Sequence, residues 1–122
     1  MSEHEEQAKL FQILAMYEEK YPDLQWIHAI PNGGKRHIGT AMKMKAEGLK
    51  RGIWDVFVPI WKDPAHGLYI EMKFGKNKLT AEQNEFGKFA NMIGCFETAV
   101  CYSGVDAANV IFEYLGMKER IE

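Results

Sequence analysis

Apolar residues at the start of the chain recur at the spacing of an amphipathic helix. They are Leu10, Ile13, Leu14 and Tyr17, at positions i, i+3, i+4 and i+7. This spacing places them on one helical face and predicts a helix over residues 3–19, with Glu6 one turn before the apolar stripe. Pro22 follows directly and is expected to end the helix, because proline cannot continue it.

The remaining chain alternates between short apolar runs and helix-forming stretches. Strands are predicted at residues 25–30, 55–61, 67–73 and 96–102, which are rich in aromatic and β-branched residues. Helices are predicted at residues 36–47, 80–92 and 106–115 from composition and apolar spacing. A polar turn joins the second and third strands, which favours an antiparallel hairpin. The order α-β-α-β-β-α-β-α predicts an α/β fold in which helices flank a mixed sheet.

Composition limits the number of domains and the class of protein. With 122 residues, 47% of them hydrophobic and 26% charged, the chain is expected to form a single domain over residues 1–122. It has no apolar run near the roughly 20 residues of a membrane span, and its first residues are polar. We therefore expect a soluble, cytoplasmic protein without a membrane partner. Cys95 and Cys101 lack a zinc-binding spacing and are expected to be buried thiols.

Positive charge is concentrated in one segment, although the whole chain carries a formal charge of -2. Residues 35–51 hold six basic side chains against the single Glu47. The six are Lys35, Arg36, Lys43, Lys45, Lys50 and Arg51. Lys76 and Lys78, with Lys73, form a second cluster. Such segregation would suit a phosphate backbone on one side of the fold, and a solvated helix face explains it equally well.

Three polar residues lie in or beside the two central apolar runs. Asp55 begins the first run, and Glu71 and Lys73 lie two positions apart near the end of the second. Because side chains alternate across a strand, Glu71 and Lys73 point to one face. In a hairpin, Asp55 would lie near the end of the second strand, and the two carboxylates would converge. The alternative is that Asp55 only begins a strand while Glu71 and Lys73 form a surface ion pair.

Two carboxylates and a lysine in this arrangement suit phosphodiester hydrolysis. Hard oxygen ligands bind Mg²⁺ or Mn²⁺, which keep several waters and accept phosphate oxygens. The metal makes a water more acidic and stabilises developing charge. Lys73 would position that water or offset the charge of the transition state.

Four segments together carry a resemblance to a known family. They are residues 52–57 (GIWDVF), 69–73 (YIEMK), 79–83 (LTAEQ) and 31–36 (PNGGKR). The first three resemble motifs of the virus-type replication-repair nuclease (VRR-NUC) family of the PD-(D/E)xK superfamily, and the last resembles a loop of its phage members. The similarity extends over nearly the whole chain and implies a restriction-endonuclease-like fold. Family members usually have proline where this chain has Trp54.

The resemblance implies roles for individual residues. Asp55, Glu71 and the main-chain carbonyl of Met72 would be metal ligands, and Lys73 the catalytic lysine. The family also places a glutamate of the first helix at the site, for which Glu6 is our choice, with Glu3 and Glu5 as rivals. Its glutamine on the helix after the lysine corresponds to Gln83. Acid enrichment in a first helical turn explains Glu6 as well, and a capping box with Thr80 explains Gln83 as well.

The predicted DNA contacts lie in the basic segments and in the loop before the basic helix. Glycines in that loop would bring backbone amides close to a phosphate, although a plain turn is an equal alternative. The predicted contact residues are Asn32, Gly33, Gly34, Lys35, Arg36, Lys43, Lys76 and Lys78.

The function expected from the resemblance is a Mg²⁺-dependent DNA endonuclease, with Mn²⁺ as a substitute. Single-domain members resemble Holliday-junction resolvases, so we expect a homodimer acting on four-way junctions, of phage origin and located in the bacterial cytoplasm. Alternatives are a nuclease that prefers flaps or other branched DNA and a non-catalytic DNA-binding module. A third is an interaction protein that uses exposed aromatic residues such as Trp54 and Trp61.

Overall fold

A computed structural model describes residues 2–31 and 38–122. Within these residues, four strands and four α-helices follow one another in the predicted order, with one short 3₁₀ helix, Pro22–Trp26, after the first α-helix. The α-helices are α1 (Glu3–Tyr17), α2 (Ile38–Ala46), α3 (Ala81–Ile93) and α4 (Gly104–Tyr114). The strands are β1 (His28–Ala29), β2 (Val56–Val58), β3 (Gly67–Met72) and β4 (Phe96–Cys101).

The strands form one mixed sheet in the order β1-β2-β3-β4. Antiparallel pairing joins β1 to β2 and β2 to β3, whereas β3 and β4 are parallel. A parallel pair requires a crossover, and α3 supplies it. In the register, Val56 lies opposite Ile70, and Met72 lies opposite Cys101. The predicted hairpin, mixed sheet and α/β class are therefore confirmed.

The hydrophobic core lies between one face of the sheet and the helices α1 and α4. Alternating positions of β2 and β3 point into it, as a strand with one buried face requires. Its fully buried side chains include Leu10, Val56, Val58, Leu68, Ile70, Met72, Ile111 and Phe112. The two helices approach closely at Gly104, where an added Cβ would lie 2.6 Å from the Glu6 carbonyl oxygen.

Aromatic side chains cover the other face of the sheet. Phe57 stacks on Tyr69 with ring centroids 4.5 Å apart, and Phe86 of α3 meets Tyr69 edge-on at 4.9 Å. Phe96 meets the same Tyr69 ring edge-on at 5.3 Å. Helix α3 is thus held on this face by aromatic contacts, which fixes the position of its first turn relative to β3.

The predicted strand over residues 25–30 is largely wrong. Residues Pro22–Trp26 form a 3₁₀ helix with proline in its first turn, and only His28–Ala29 remain as an edge strand with both side chains exposed. Proline fixes φ near the helical value, and the Gln25 side chain donates to the Pro22 carbonyl. Strand β2 is also shorter than predicted, because Pro59 follows Val58 and cannot donate to the ladder.

The helix ends agree with the sequence signals. Thr80 caps α3 in a complete capping box, and Gly94 ends that helix with a left-handed φ of 72°. Helix α4 begins two residues earlier than predicted because the Ser103 hydroxyl caps it. Within the part of the chain that the structure describes, none of the helices is long and apolar enough to cross a membrane.

Candidate active site

Asp55 lies directly before β2, and its side chain reaches the end of β3. The Met72 amide donates to Asp55 Oδ2 at 2.9 Å. This bond extends the β2–β3 pairing by one step, since Val56 already lies opposite Ile70. The predicted convergence of Asp55 with the end of the second strand is therefore observed.

Glu71 and Lys73 lie side by side and are both buried. Their exposed fractions are 1% and 6%, and Lys73 Nζ lies 3.7 Å from Glu71 Oε2. The surface ion pair considered from the sequence is therefore wrong. Moving charged groups out of water is unfavourable unless they are paired and hydrogen-bonded. Burial of Glu71 and Lys73 together therefore lowers the stability of the fold.

Gln83 takes part in the helix cap and in the site at the same time. Its side-chain Oε1 accepts from the Thr80 main-chain amide at 2.9 Å, and the Gln83 main-chain amide donates to Thr80 Oγ1 at 3.2 Å. Its Nε2 donates to Glu71 Oε2 at 2.8 Å. The two roles that the sequence offered as alternatives use opposite ends of one amide, so the cap fixes the orientation of the side chain that holds Glu71.

The two oxygens of Glu71 have different surroundings. Oε2 accepts a hydrogen bond from Gln83 and lies near the Lys73 ammonium. Oε1 is buried and has no hydrogen-bond partner among the described residues. The pKa of Glu71 is raised to about 8, first by burial and second by the neighbouring Asp55 carboxylate, while Lys73 acts to lower it. A buried acceptor without a donor is unfavourable. Within the part of the chain that the structure describes, Glu71 Oε1 therefore lacks a hydrogen-bond donor.

The N-terminal glutamates have other contacts. Glu6 is 6% exposed, and its Oε1 accepts from the Gly104 amide at 2.8 Å, at the start of α4. Glu3 Oε2 accepts from Asn77 in the loop after β3, at 3.0 Å. The catalytic role expected for one of these glutamates, with Glu6 preferred, stays a prediction.

The side chains that could hold a small hard cation are Asp55 and Glu71, and the resemblance implies the Met72 carbonyl as a third ligand. Over residues 2–31 and 38–122, His, Cys, Asp and Glu side chains nowhere gather in threes around a potential metal position. Mg²⁺ is usually bound by one or two carboxylates, with water and phosphate oxygens as its other ligands. Asp55, Glu71 and the Met72 carbonyl match that limited demand, and the unpartnered Glu71 oxygen fits a cation.

A comparison with solved structures finds a chain described as a "VRR_NUC domain protein". The match has a TM-score of 0.69 and 22% sequence identity, and it covers 94% of this chain and 92% of the other. The chain has the fold of a VRR_NUC domain protein. Neither a family model nor a curated protein matches the sequence. The resemblance seen in the motifs is thereby confirmed at the level of the fold.

Trp54 differs from its expected surroundings. The sequence suggested an exposed aromatic residue, but Trp54 is only 3% exposed, whereas Trp61 is 67% exposed. Its indole Nε1 donates to the Gln83 carbonyl at 2.9 Å. Sequence reasoning missed this contact with α3. The signal that could have found it is Gly87, one helical turn after Gln83, which leaves room for a ring against the helix.

The predicted DNA contacts are placed only in part. Lys43, on α2, is exposed, and so are Lys76 and Lys78 in the loop between β3 and α3. That loop begins directly after Lys73, so its two lysines follow the site along the chain. The other predicted contacts lie outside the described residues: Asn32, Gly33, Gly34, Lys35 and Arg36.

Proposed function

We propose that this protein is a metal-dependent endonuclease that hydrolyses phosphodiester bonds in structured DNA. The observation that carries the proposal is the buried Glu71, which lies beside Lys73 and has one oxygen without a hydrogen-bond partner over residues 2–31 and 38–122. A purely structural carboxylate would be expected to have its oxygens satisfied. In this function, a cation would bind the Glu71 oxygen that has no partner among the described residues, and Lys73 would contact the substrate.

Asp55, Glu71 and the Met72 carbonyl would hold Mg²⁺, with Mn²⁺ as a substitute. When bound, the cation supplies a Lewis acid that makes a water more acidic and stabilises charge on the phosphate oxygens. The Met72 amide keeps Asp55 in place, and Gln83 keeps Glu71 in place through its 2.8 Å bond. Both carboxylates are therefore oriented by the protein before any ligand arrives.

Lys73 would act on the substrate. Its ammonium is held within the buried site, 3.7 Å from Glu71 Oε2, where a fixed charge is more effective than in water. It can orient the attacking water and offset the negative charge that develops on the phosphoryl oxygens. Because little water reaches a buried site, few solvent molecules need to reorganise when this charge develops.

Four-way junction DNA is the proposed substrate, and a homodimer is the proposed assembly. Exposed Lys76 and Lys78, directly after the site, and Lys43 on α2 would contact phosphates. Support for the junction preference comes from the resemblance to resolvases. A two-fold dimer would present two sites to a target that is itself two-fold.

The test is cleavage of labelled four-way junction, flap and linear duplex DNA in Mg²⁺, Mn²⁺ or EDTA. We expect metal-dependent cutting of the junction, lowered at least about 100-fold by Lys73→Ala and by Asp55→Asn with DNA binding retained. Lys118→Ala is the matched control, because it removes an exposed lysine of the C-terminal segment.

The other outcomes separate the alternatives. Binding without cutting in any metal would contradict the enzyme and leave a DNA-binding module. Metal-dependent cutting of the flap but not of the junction would retain the nuclease and overturn the junction preference.

A further inference from the structure

We infer that Trp54 is a positioning residue of the site: it fastens the segment that presents Asp55 to the helix that presents Gln83. The inference rests on the proposed metal-dependent function. It concerns a residue directly before Asp55 that contributes no metal ligand itself.

A hydrogen bond links Trp54 to α3. The indole Nε1 donates to the Gln83 main-chain carbonyl at 2.9 Å, and the side chain is 3% exposed. A buried indole N–H needs an acceptor, and the bond fixes the ring in one orientation. Trp54 is therefore bonded to the main chain of Gln83, the α3 residue whose side chain donates to Glu71.

Close packing reinforces the hydrogen bond. A Cβ added at Gly87 would lie 2.8 Å from Trp54 Cζ2, so the ring lies directly against the helix. Two residues before Trp54, a Cβ added at Gly52 would lie 2.6 Å from Glu82 Cβ and 2.8 Å from its carbonyl oxygen. The turn that leads into Asp55 thus contacts α3 at consecutive helical turns.

These contacts connect the two carboxylates of the site. Asp55 follows Trp54 and accepts from Met72, while Gln83 donates to Glu71. A shift of α3 relative to Trp54 would therefore change the spacing between the Asp55 and Glu71 oxygens. Mg²⁺ demands near-ideal octahedral geometry at 2.0–2.1 Å as a general rule, whereas Ca²⁺ accepts longer and more variable distances. The expected consequence of losing the contact is a selective loss of Mg²⁺ affinity.

The test compares Mg²⁺ and Ca²⁺ binding by calorimetry in the wild type and in Trp54→Phe, which keeps an aromatic ring but removes the N–H. We expect Trp54→Phe to weaken Mg²⁺ binding about 10-fold and Ca²⁺ binding less. In cleavage assays kcat should fall, with KM for DNA unchanged. Trp61→Phe is the matched control, since Trp61 is exposed and its ring contacts His66.

A second variant reaches the same contact from the helix. Gly87→Ala leaves Trp54 intact but pushes against its ring, and it should also lower the ratio of Mg²⁺ to Ca²⁺ affinity. If Trp54→Phe does not fold, Gly87→Ala decides the matter. An unchanged ratio in the folded variants, even with a lower Tm, would overturn the positioning role. A wild type that binds Mg²⁺ but cuts no DNA would overturn the nuclease and leave this comparison of affinities valid.

Discussion

Two buried glutamates, Glu6 and Glu71, stand in contrasting surroundings. Their exposed fractions are 6% and 1%. Glu6 accepts from the Gly104 amide at the start of α4, where the unpaired amides and the helix dipole both favour a carboxylate. Glu71 has an oxygen without a partner among the described residues and a pKa raised by burial. Burial alone therefore does not distinguish the two glutamates, whereas the supply of hydrogen-bond donors does.

The difference follows from the elements that surround each residue. Glu6 lies where α1 and α4 approach so closely that only glycine fits at position 104. Glu71 lies near the end of a strand, and its neighbours Asp55 and Gln83 come from a turn and from a helix start. The helix contact supplies a backbone donor to Glu6, whereas the turn and the helix start beside Glu71 leave its Oε1 without a donor among the described residues.

The largest effect that would test this contrast is expected for Glu71→Gln. The amide keeps the shape of the side chain but removes the charge that a cation needs, so we expect cleavage to fall about 1,000-fold while the protein stays folded. Single-turnover cleavage and circular dichroism would measure the two properties. Near-normal cleavage by Glu71→Gln would contradict the assignment of Glu71 as a metal ligand.

A smaller effect, on stability, is expected at Glu6. Glu6→Ala leaves the Gly104 amide without its acceptor, so the free energy of unfolding should fall by about 1–3 kcal/mol. Glu6→Gln retains an acceptor and should keep most of the stability. Denaturant unfolding measures both, and Glu113→Ala is the control because Glu113 is an exposed glutamate of α4.

Cleavage by Glu6→Gln then distinguishes two roles. Retained cleavage would limit Glu6 to the contact between the helices. Lost cleavage in a stable variant would support the catalytic role that the family resemblance implies. Equal stability of Glu6→Ala and the wild type would contradict the structural role.

Local signals were sufficient for much of the fold and for the centre of the site. The strand period and the hairpin together predicted that Asp55 would meet the end of β3, and the Met72 amide bond confirms it. The capping box predicted the start of α3. For Gln83, the sequence offered the helix cap and the contact with the site as alternatives. The side chain makes both contacts, because its Oε1 accepts from Thr80 while its Nε2 donates to Glu71.

These local signals do not predict contacts between residues that are far apart in the sequence. Glu6 and Gly104 are 98 positions apart, and periodicity carries no information about which helix starts meet which side chains. Trp54 was expected to be exposed only under the alternative of an interaction protein, and its burial depends on a helix that begins 27 positions later, at Ala81. The 3₁₀ helix at Pro22–Trp26 was missed because apolar content outweighed the effect of proline.

The smallest expected effect is a pH dependence of stability without metal. The pKa of Glu71 is raised to about 8 in the folded protein, from an ordinary value of 4.5. Between these values the folded state binds more protons than the unfolded state, so stability should fall as pH rises from about 4.5 to about 8 and then level off. We expect a decline on the order of 1 kcal/mol per pH unit between about pH 5 and 7, measured by denaturant unfolding in EDTA.

Two variants connect that slope to the site. Glu71→Gln should remove the decline, because the amide does not titrate. Asp55→Asn should end the decline at a lower pH and so reduce its total size, since the Asp55 charge is the second cause of the raised Glu71 pKa after burial. A decline that persists in Glu71→Gln would locate the titrating group elsewhere, and the unpartnered oxygen would then no longer distinguish Glu71 from Glu6.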